Sequence, residues 1–431
     1  MYESKMKLTK KQLDILNGKE GEVKAKVMET IVRYGDMFEA TELVPVTHGT
    51  GHLVTSFGLS LLKPIYRTMD ELIGAGLKVE EGFTMDPRPV DFKNVKCSLL
   101  YKLLFSTILY GKQKKYEEQL KKLGLKSKES FSCACYFDEM GNIPKKGDVL
   151  SWAESSAVNY ANSVLGARCN RNSGMIDIFG SIIGYVPKFG LLTDEGRRAK
   201  WKIVVKTAKK PIPQILGSAI GLKVMEDVPY VVGLDKWIGT ELNAECKSYL
   251  KDFGAATASN GAVGLYHIEN VTPEAKELGE KLLVKDYKEY VIDDKELEKV
   301  YKSYPIMWKN KDKKGDLAFI GCPHLSYSQL CDWSSKIVAG LEKAGKTKVA
   351  CQTVLCTAPP VMEKFVKTEE YKNLLKTGAR VTAICPLMYT SNPLTKRKNL
   401  MTCSNKLRTY STARYYKDED LLDVICGKEG K

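Results

Sequence analysis

Three strand-like runs in the last third of the chain alternate with helical patterns, and this alternation restricts the fold more than any other feature. The runs are GDLAFIGC, KVACQTVLC and ARVTAIC at 315–322, 348–356 and 379–385, with helices predicted at 326–343 and 360–376. Short buried runs separated by helices of this length predict βαβαβ connectivity and a parallel sheet. Ser326 and Gln329 have the spacing of a capping box, which defines the start of the first helix.

Cysteines stand at the predicted ends of these strands. Parallel strands end at one edge of a sheet, where ligands bind in open α/β folds. Cys322 and Cys385 are each followed by proline, which favours an extended conformation before it. We therefore expect both strands to stop at their cysteine and to present its thiol at the sheet edge. Packing as a small hydrophobe is the alternative for any one cysteine, and it is the role predicted for Cys246, Cys331 and Cys351.

The twelve cysteines show no CxxC spacing, which excludes a local zinc ribbon or ferredoxin string. Any metal site must be assembled from cysteines that are distant in sequence. The first residues, MYESKMKLTKK, lack the apolar region of a signal peptide, and no apolar run reaches the roughly 18 residues of a membrane span. We expect a cytoplasmic protein without a disulfide framework.

The length and charge of the chain limit its organisation and partners. A chain of 431 residues is expected to contain two or three packed cores, and we predict an α/β substrate-pocket region at 1–310 and the βαβαβ subdomain at 311–431. The net charge of +15 suits nucleic acid, anionic lipid or a small anionic substrate. The densest basic run, 112–128, also contains Glu117 and Glu118 and is typical of a solvated helix face, so nucleic-acid binding is not expected.

A polar stretch at 151–174 reads SWAESSAVNYANSVLGARCNRNSG. Ser151 and Glu154 have capping-box spacing, and Ser155, Asn159 and Asn162 recur on one helix face. Uncharged polar residues in this pattern favour either a buried site or a packed interface with satisfied amides.

The polar helix is predicted to end at Gly166, and the loop that follows offers Arg168, Asn170 and Arg171. Arginines in such loops often bind carboxylate or phosphate, and a surface role is the alternative. In the HGTGH loop, His52 is a candidate hydrogen-bond donor or acid, without the helical spacing of a zinc peptidase. His324, two residues after Cys322, either supports a metal site or caps the turn.

Several long segments resemble the aconitase X family, in the expected order and over nearly the whole chain. They are SCACY at 132–136, WAESSAVNYANSVLGARCNRNSG at 152–174, GAATASNGAVGLYHIENVTPEA at 254–275, GCPHLS at 321–326 and LMTCSNK at 400–406. The resemblance implies an aconitase-like, multi-subdomain α/β fold. It also implies the large subunit of a heteromer, which lacks the swivelling small domain and needs a small partner subunit whose serine is a candidate catalytic base.

The resemblance further implies an iron–sulfur-dependent hydro-lyase that removes water from a small hydroxy acid of the cis-3-hydroxy-L-proline or mevalonate 5-phosphate type. The cluster, 4Fe-4S or 2Fe-2S, would be held by Cys133, Cys322 and Cys385. With three thiolate ligands, one iron stays available as a Lewis acid for the substrate hydroxyl. A non-catalytic iron–sulfur sensor or an RNA-binding protein of the same fold is the alternative.

The family resemblance also assigns roles to individual side chains. The expected catalytic residues are Glu154, Ser156 and Lys406. The expected substrate-binding residues are His52, Ser155, Asn159, Arg168, Asn170, Arg171 and Ser404. Cys135 and Cys403 stand where the family usually has other residues, and they are additional candidate ligands.

Overall fold

Two helices begin at the capping boxes that the sequence contains. Thr9 Oγ1 accepts a hydrogen bond from the Gln12 amide at 3.3 Å, and Ser326 Oγ accepts one from the Gln329 amide at 3.3 Å. In each pair the glutamine side chain accepts the amide of the capping residue in return. The two boxes satisfy backbone donors that a helix N-terminus leaves free, so they fix where α1 and α13, bounded below, begin.

The computed structural model describes residues 4–309, 314–392 and 395–428. Within these ranges the α-helices are α1 Lys10–Leu16, α2 Glu22–Met37, α3 Lys63–Gly74, α4 Leu99–Leu104, α5 Gln113–Leu123, α6 Ser155–Tyr160, α7 Ile176–Ile183, α8 Pro213–Val224, α9 Asp235–Ile238, α10 Ala244–Gly261, α11 Pro273–Leu278, α12 Asp294–Lys302, α13 Tyr327–Lys343, α14 Pro359–Phe365, α15 Glu369–Lys376, α16 Pro386–Thr390, α17 Asn405–Tyr410 and α18 Asp418–Ile425. π-Helical turns Phe105–Leu109 and Ala161–Leu165 continue α4 and α6, and short 3-10 turns lie at Gly190–Leu192, Glu195–Arg197, Gly279–Leu282 and Thr395–Arg397.

The strands form two larger parallel sheets and two small pairs. They are β1 Leu43–Pro45, β2 Gly51–Leu53, β3 Phe83–Met85, β4 Tyr185–Pro187, β5 Ala199–Val205, β6 Pro229–Val232, β7 His267–Ile268, β8 Leu283–Ile292, β9 Leu317–Leu325, β10 Gln352–Thr357, β11 Arg380–Thr382, β12 Leu400–Thr402 and β13 Arg414–Tyr415. The larger sheets have the orders β7-β6-β5-β8 and β11-β10-β9-β12-β13. All their neighbouring strands run parallel, which confirms the predicted α/β class.

The five-stranded sheet contains the predicted βαβαβ unit, with apolar packing on both faces. One face packs against α13, α14, α15 and α18. The opposite face packs against two separate segments, which contain α4 and α16. Every residue of β9, the central strand, is buried. Short apolar runs in the sequence therefore correspond to strands covered on two sides, as in other parallel sheets.

The prediction that the first of these strands ends at Cys322 is wrong. β9 pairs with β10 through Ile320 and Leu355, and pairing resumes at Leu325 with Thr357. Residues 321–324 therefore lie opposite the single residue Cys356, and we call this segment the β9 break. The Cys322–Pro323 peptide bond within it is cis. The proline interrupts the pairing without ending the strand.

Three other predicted boundaries are corrected. β11 ends at Thr382, so Cys385 lies at the N-cap of α16, where Pro386 opens a helix. The helix predicted at 360–376 is two helices, because Thr368 caps a new helix at α15. Glu154 is itself the N-cap of α6, so the predicted capping box from Ser151 is wrong.

Glycines of α8 allow close packing against α10, the helix that contains the first part of the small-residue stretch 254–267. A Cβ built on Gly217 of α8 would lie 2.4 Å from the Phe253 carbonyl oxygen of α10, and one on Gly221 would lie 2.7 Å from the Thr257 carbonyl oxygen. The two helices therefore approach closely because glycine stands at their contact.

No helix of the described ranges is long and apolar enough to cross a membrane. The predicted boundary between residues 310 and 311 lies outside the described residues.

Candidate active site

A cavity of about 280 Å³ lies where the β9 break meets the N-termini of α6 and α16 and one side of α17. Its lining residues are Val54, Phe57, Asp86, Pro87, Cys133, Ala153, Glu154, Ser155, Gly321, Cys322, His324, Cys385, Pro386, Leu387, Met388, Lys406 and Tyr410. Five of the residues predicted for the site thus line this one cavity: the three cysteines expected as ligands, Glu154 and Lys406. Ser155 is a sixth.

Each cavity cysteine is positioned by a different backbone element. The segment before Cys133 runs beside β3, with the Ser132 amide donating to the Met85 carbonyl at 2.8 Å. Cys322 lies in the β9 break, and Cys385 opens α16 with its amide donating to the Arg88 carbonyl at 2.7 Å. Burial raises the pKa of all three thiols, so they are neutral until a metal displaces their protons.

His324 connects the three segments that carry the cysteines. Its Nε2 lies 3.1 Å from the Ile384 carbonyl oxygen and its Nδ1 lies 3.0 Å from Ser132 Oγ. Its backbone amide donates to Cys133 Sγ at 3.5 Å. Burial lowers the pKa of His324 to about 4, so the ring is neutral at pH 7.

A buried ion pair forms the polar wall of the cavity. Lys406 Nζ donates to Glu154 Oε1 and, at 3.2 Å, to Ser156 Oγ. The other carboxylate oxygen, Oε2, accepts the Ala157 amide at 2.6 Å and the Ser156 hydroxyl at 2.7 Å. Glu154 therefore both caps α6 and pairs with Lys406, the only cation among the described cavity residues.

Burial alone would raise the pKa of Glu154, but the Lys406 charge and three hydrogen bonds lower it to about 2. Burial alone would lower the pKa of Lys406, but the Glu154 charge holds it above its usual range. Both groups are therefore charged at pH 7. Since two buried charges are stable only when they are paired, the contact fixes the ammonium in place.

Asp86 is a cavity residue that the sequence analysis missed. Its Oδ1 lies 3.7 Å from Nε2 of His52, and both atoms are buried without a hydrogen-bond partner in the part of the chain that the structure describes. The other ring nitrogen of His52 lies 2.9 Å from Thr84 Oγ1. Burial and then the Glu154 charge raise the pKa of Asp86, and burial lowers that of His52 to about 4. The sequence signal, an aspartate before Pro87 at the end of β3, is also typical of a turn.

Six of the seven predicted substrate-binding residues lie outside the cavity lining: His52, Ser404 and the four that follow. Asn159 donates to the Val263 carbonyl at 2.9 Å, and Asn170 donates to the Phe189 carbonyl at 2.9 Å. Arg168 pairs with Asp194 at 2.5 Å, and Arg171 donates to the Ala262 carbonyl. The donor contact of Asn159 fits the interface alternative for the polar stripe, although its Oδ1 has no hydrogen-bond partner among the described residues. As substrate ligands the four residues stay predictions.

Two further candidates, Ser404 and Cys403, lie near Cys322. Ser404 Oγ donates to the Cys322 carbonyl, and a second cavity of about 60 Å³ lies there, lined by Cys322, Cys403, Ser404 and other residues. Cys403 therefore shares a different space with Cys322. Cys135 is buried and lines neither cavity.

The donor set fits a polynuclear cluster better than a single ion. Among the described residues, no group of three or more His, Cys, Asp or Glu side chains could hold a metal ion. An iron–sulfur cluster needs a different geometry, because each thiolate binds a separate iron at the edge of the cluster. Three cysteines around one cavity, beside the apolar Leu387 and Met388, would provide thiolate ligands of this kind.

Models of the aconitase X family match the chain in three consecutive parts. The first-domain model matches residues 5–195, the second-domain model residues 199–302 and the third-domain model residues 315–421. The third match contains Cys322, Cys385 and Lys406, and the first contains Cys133 and Glu154. The cavity therefore lies between the parts matched by two domain models.

Named relatives agree with these matches. A phosphomevalonate dehydratase large subunit of Methanosarcina mazei is 30% identical, over 90% of this chain and 88% of that protein. The corresponding protein of Thermococcus kodakarensis is 31% identical over 75% of each chain. A cis-3-hydroxy-L-proline dehydratase of Pseudomonas aeruginosa is 28% identical, over 67% of this chain and 48% of that protein.

A solved structure confirms the fold. The crystal structure of Thermococcus kodakaraensis aconitase X in its holo-form superposes with a TM-score of 0.78 at 26% identity, and the match covers 99% of this chain and 100% of that one. The chain therefore belongs to the aconitase X family and is an enzyme of the carbon–oxygen lyase class.

Proposed function

We propose that this chain is the catalytic large subunit of an iron–sulfur dehydratase that removes water from a small hydroxy acid. One observation carries the proposal: Cys133, Cys322 and Cys385 reach one cavity from three backbone segments and face the paired charges of Glu154 and Lys406. Thiols and a buried ammonium in one small space provide metal ligands and a fixed positive charge for a substrate anion.

The cavity suits a compact substrate with both polar and apolar parts. Asp86, Glu154 and Lys406 form its charged wall, and Phe57, Leu387 and Met388 belong to its apolar wall. The relatives named above act on mevalonate 5-phosphate or on cis-3-hydroxy-L-proline according to their names. We propose one of these two substrate types for this chain.

When bound, the cluster supplies an iron that polarises the substrate hydroxyl as a Lewis acid. Lys406 Nζ holds the substrate carboxylate, and Glu154 keeps this ammonium charged and fixed. Ser156 Oγ lies between the two and accepts one N–H of Lys406. The apolar wall excludes water from the reacting face, which strengthens the ionic contact to Lys406.

Glu154 is not suited to remove the substrate proton, since a carboxylate with a pKa of about 2 is a weak base. We assign the base to a small partner subunit. Relatives that match over most of their length are named large subunits, and the Pseudomonas aeruginosa enzyme is about twice the matched length. Both facts support a further domain that completes the cavity.

Anaerobic co-expression with the small subunit tests the proposal. We expect bound iron and sulfide, visible absorbance from the cluster, and dehydration of either cis-3-hydroxy-L-proline or mevalonate 5-phosphate. Cys322→Ala should lose both the cluster and the activity. Cys246→Ala is the matched control, because Cys246 is equally buried but lies in α10 outside the cavity lining.

Two outcomes would contradict the proposal. If Cys322→Ala retains the iron and the absorbance, the ligand assignment is wrong. If the complex binds a cluster but dehydrates neither substrate, the sensor alternative gains support over the dehydratase.

A further inference from the structure

His324 makes contact with all three of the backbone segments that carry the cavity cysteines. Its ring reaches Ile384, the residue before Cys385, at 3.1 Å and Ser132, the residue before Cys133, at 3.0 Å. Its own position is two residues after Cys322 in the β9 break. A single side chain thus connects three regions that are far apart in sequence.

The two ring contacts assign the tautomer. The Ile384 carbonyl can only accept, so Nε2 carries the proton and donates to it. Nδ1 is then the acceptor, and the Ser132 hydroxyl donates to it. Ser132 Oγ still accepts the Ala134 amide at 3.1 Å, so the hydroxyl both receives and gives a hydrogen bond. Both ring nitrogens are therefore used, and neither is free to bind a metal.

The backbone of His324 adds a third contact. Its amide donates to Cys133 Sγ at 3.5 Å, which points that sulfur toward the β9 break. The imidazole is fully buried and has contacts of fixed geometry on opposite sides. An apolar ring of similar size would leave the Ser132 hydroxyl without its acceptor and the Ile384 carbonyl without its donor.

We propose that His324 is a positioning residue that sets the mutual placement of Cys133, Cys322 and Cys385 before a cluster is bound. This inference rests on the proposed cluster and extends it, because it concerns what arranges the ligands and not which residues they are. The alternative, a cap for the local turn only, would not require contacts to both Ser132 and Ile384.

The test compares His324→Phe with His267→Phe. His267 is also buried, and its Nε2 lies 2.9 Å from the Arg197 carbonyl oxygen, but it lies in β7 outside the cavity lining. The control therefore loses a similar carbonyl contact without touching the cysteine segments. His324→Asn is a third variant, which can keep an acceptor for Ser132.

Two measurements that do not depend on turnover are made on each variant. The first is the rate at which N-ethylmaleimide alkylates Cys133 and Cys385 in the cluster-free chain, resolved by peptide mass spectrometry. The second is the rate at which an iron chelator removes iron from the reconstituted protein. We expect His324→Phe to increase both rates roughly 10-fold or more, as the loss of supporting hydrogen bonds to metal ligands does elsewhere. His324→Asn should give intermediate rates.

Unchanged rates in His324→Phe, or equal increases in His267→Phe, would overturn the positioning role. A wild-type chain that takes up no iron would instead refute the proposed function. The alkylation rates keep the two outcomes separate, because they are measured without the cluster. Circular dichroism at the assay temperature shows whether each variant is folded, and an unfolded His324→Phe leaves His324→Asn to decide.

Discussion

At the scale of single residues, the ion pair of Glu154 and Lys406 combines a structural and a chemical role. The side chains are 6% and 10% exposed, and no solvent compensates either charge when its partner is removed. The Glu154 carboxylate caps α6 through the Ala157 amide, and its contact with Lys406 fixes the ammonium and lowers the carboxylate pKa. Single and double substitutions of this pair should therefore differ in their effect on stability.

Lys406→Met is expected to reduce the free energy of unfolding by about 3 to 5 kcal/mol, because it leaves a buried carboxylate unpaired. The double variant Glu154→Gln, Lys406→Met should regain most of this stability but no dehydratase activity. Urea unfolding and the activity assay measure the two effects. Lys210→Met is the control: it breaks a surface pair with Glu245, 39% and 80% exposed, and should cost less than about 1 kcal/mol. A double variant as unstable as the single one would contradict the pairing argument.

The sequence identified the cysteines and the ion pair of the cavity but not most of their neighbours. Long segments that resemble the family carry Cys133, Glu154 and Lys406, and the structure brings these residues to one cavity. Asp86 was missed, since an aspartate before proline is also an ordinary turn pattern. Arg168, which the resemblance places near the substrate, pairs with Asp194, an acid whose proximity no local pattern indicates.

At the scale of secondary-structure elements, the β9 break shows how one glycine allows a strand to bend around a cavity. Gly321 has φ of +102°, and a Cβ there would lie 2.3 Å from the Cys356 carbonyl oxygen. The sequence predicted the parallel sheet because apolar runs alternate with capped helices. It did not predict the break, because Pro323 limits the residue before it but says nothing about pairing that resumes at Leu325.

Gly321→Ala is expected to destabilise the chain more than Gly345→Ala. Both glycines have positive φ, where alanine costs about 1 to 2 kcal/mol. Gly345 has nothing within 4 Å of an added Cβ, whereas at Gly321 the methyl group meets backbone that cannot move away. Urea unfolding midpoints compare the two variants. Equal midpoints would show that the break relaxes without cost.

At the scale of the whole molecule, burial of histidine links stability to pH. Burial lowers the pKa of His52, His267 and His324 to about 4 each, from 6.5. The unfolded chain binds protons below pH 6.5 that the folded chain does not bind until about pH 4. The contribution of these histidines to the folding free energy is therefore fully present above pH 6.5 and is lost as the pH falls toward 4.

His267→Gln should reduce the folding free energy that is lost at low pH by the contribution of one histidine. Between pH 7 and pH 5 that share is about 2 kcal/mol, from about 1.4 kcal/mol per pH unit below 6.5. Glutamine has no proton to bind and can still donate to the Arg197 carbonyl. Urea unfolding at the two pH values gives the comparison, and an identical pH dependence in variant and wild type would contradict the assignment.

The cavity also fixes an order of events during biogenesis. Glu154 and Lys406 are 252 positions apart; Cys133 precedes that interval, and Cys322 and Cys385 lie within it. The residues synthesised first cannot form the cavity until the last strand and α17 have been synthesised. Closing such long loops is slow. The proposed cluster can therefore be loaded only after nearly the entire polypeptide has been made, and its cysteines stay unligated until then.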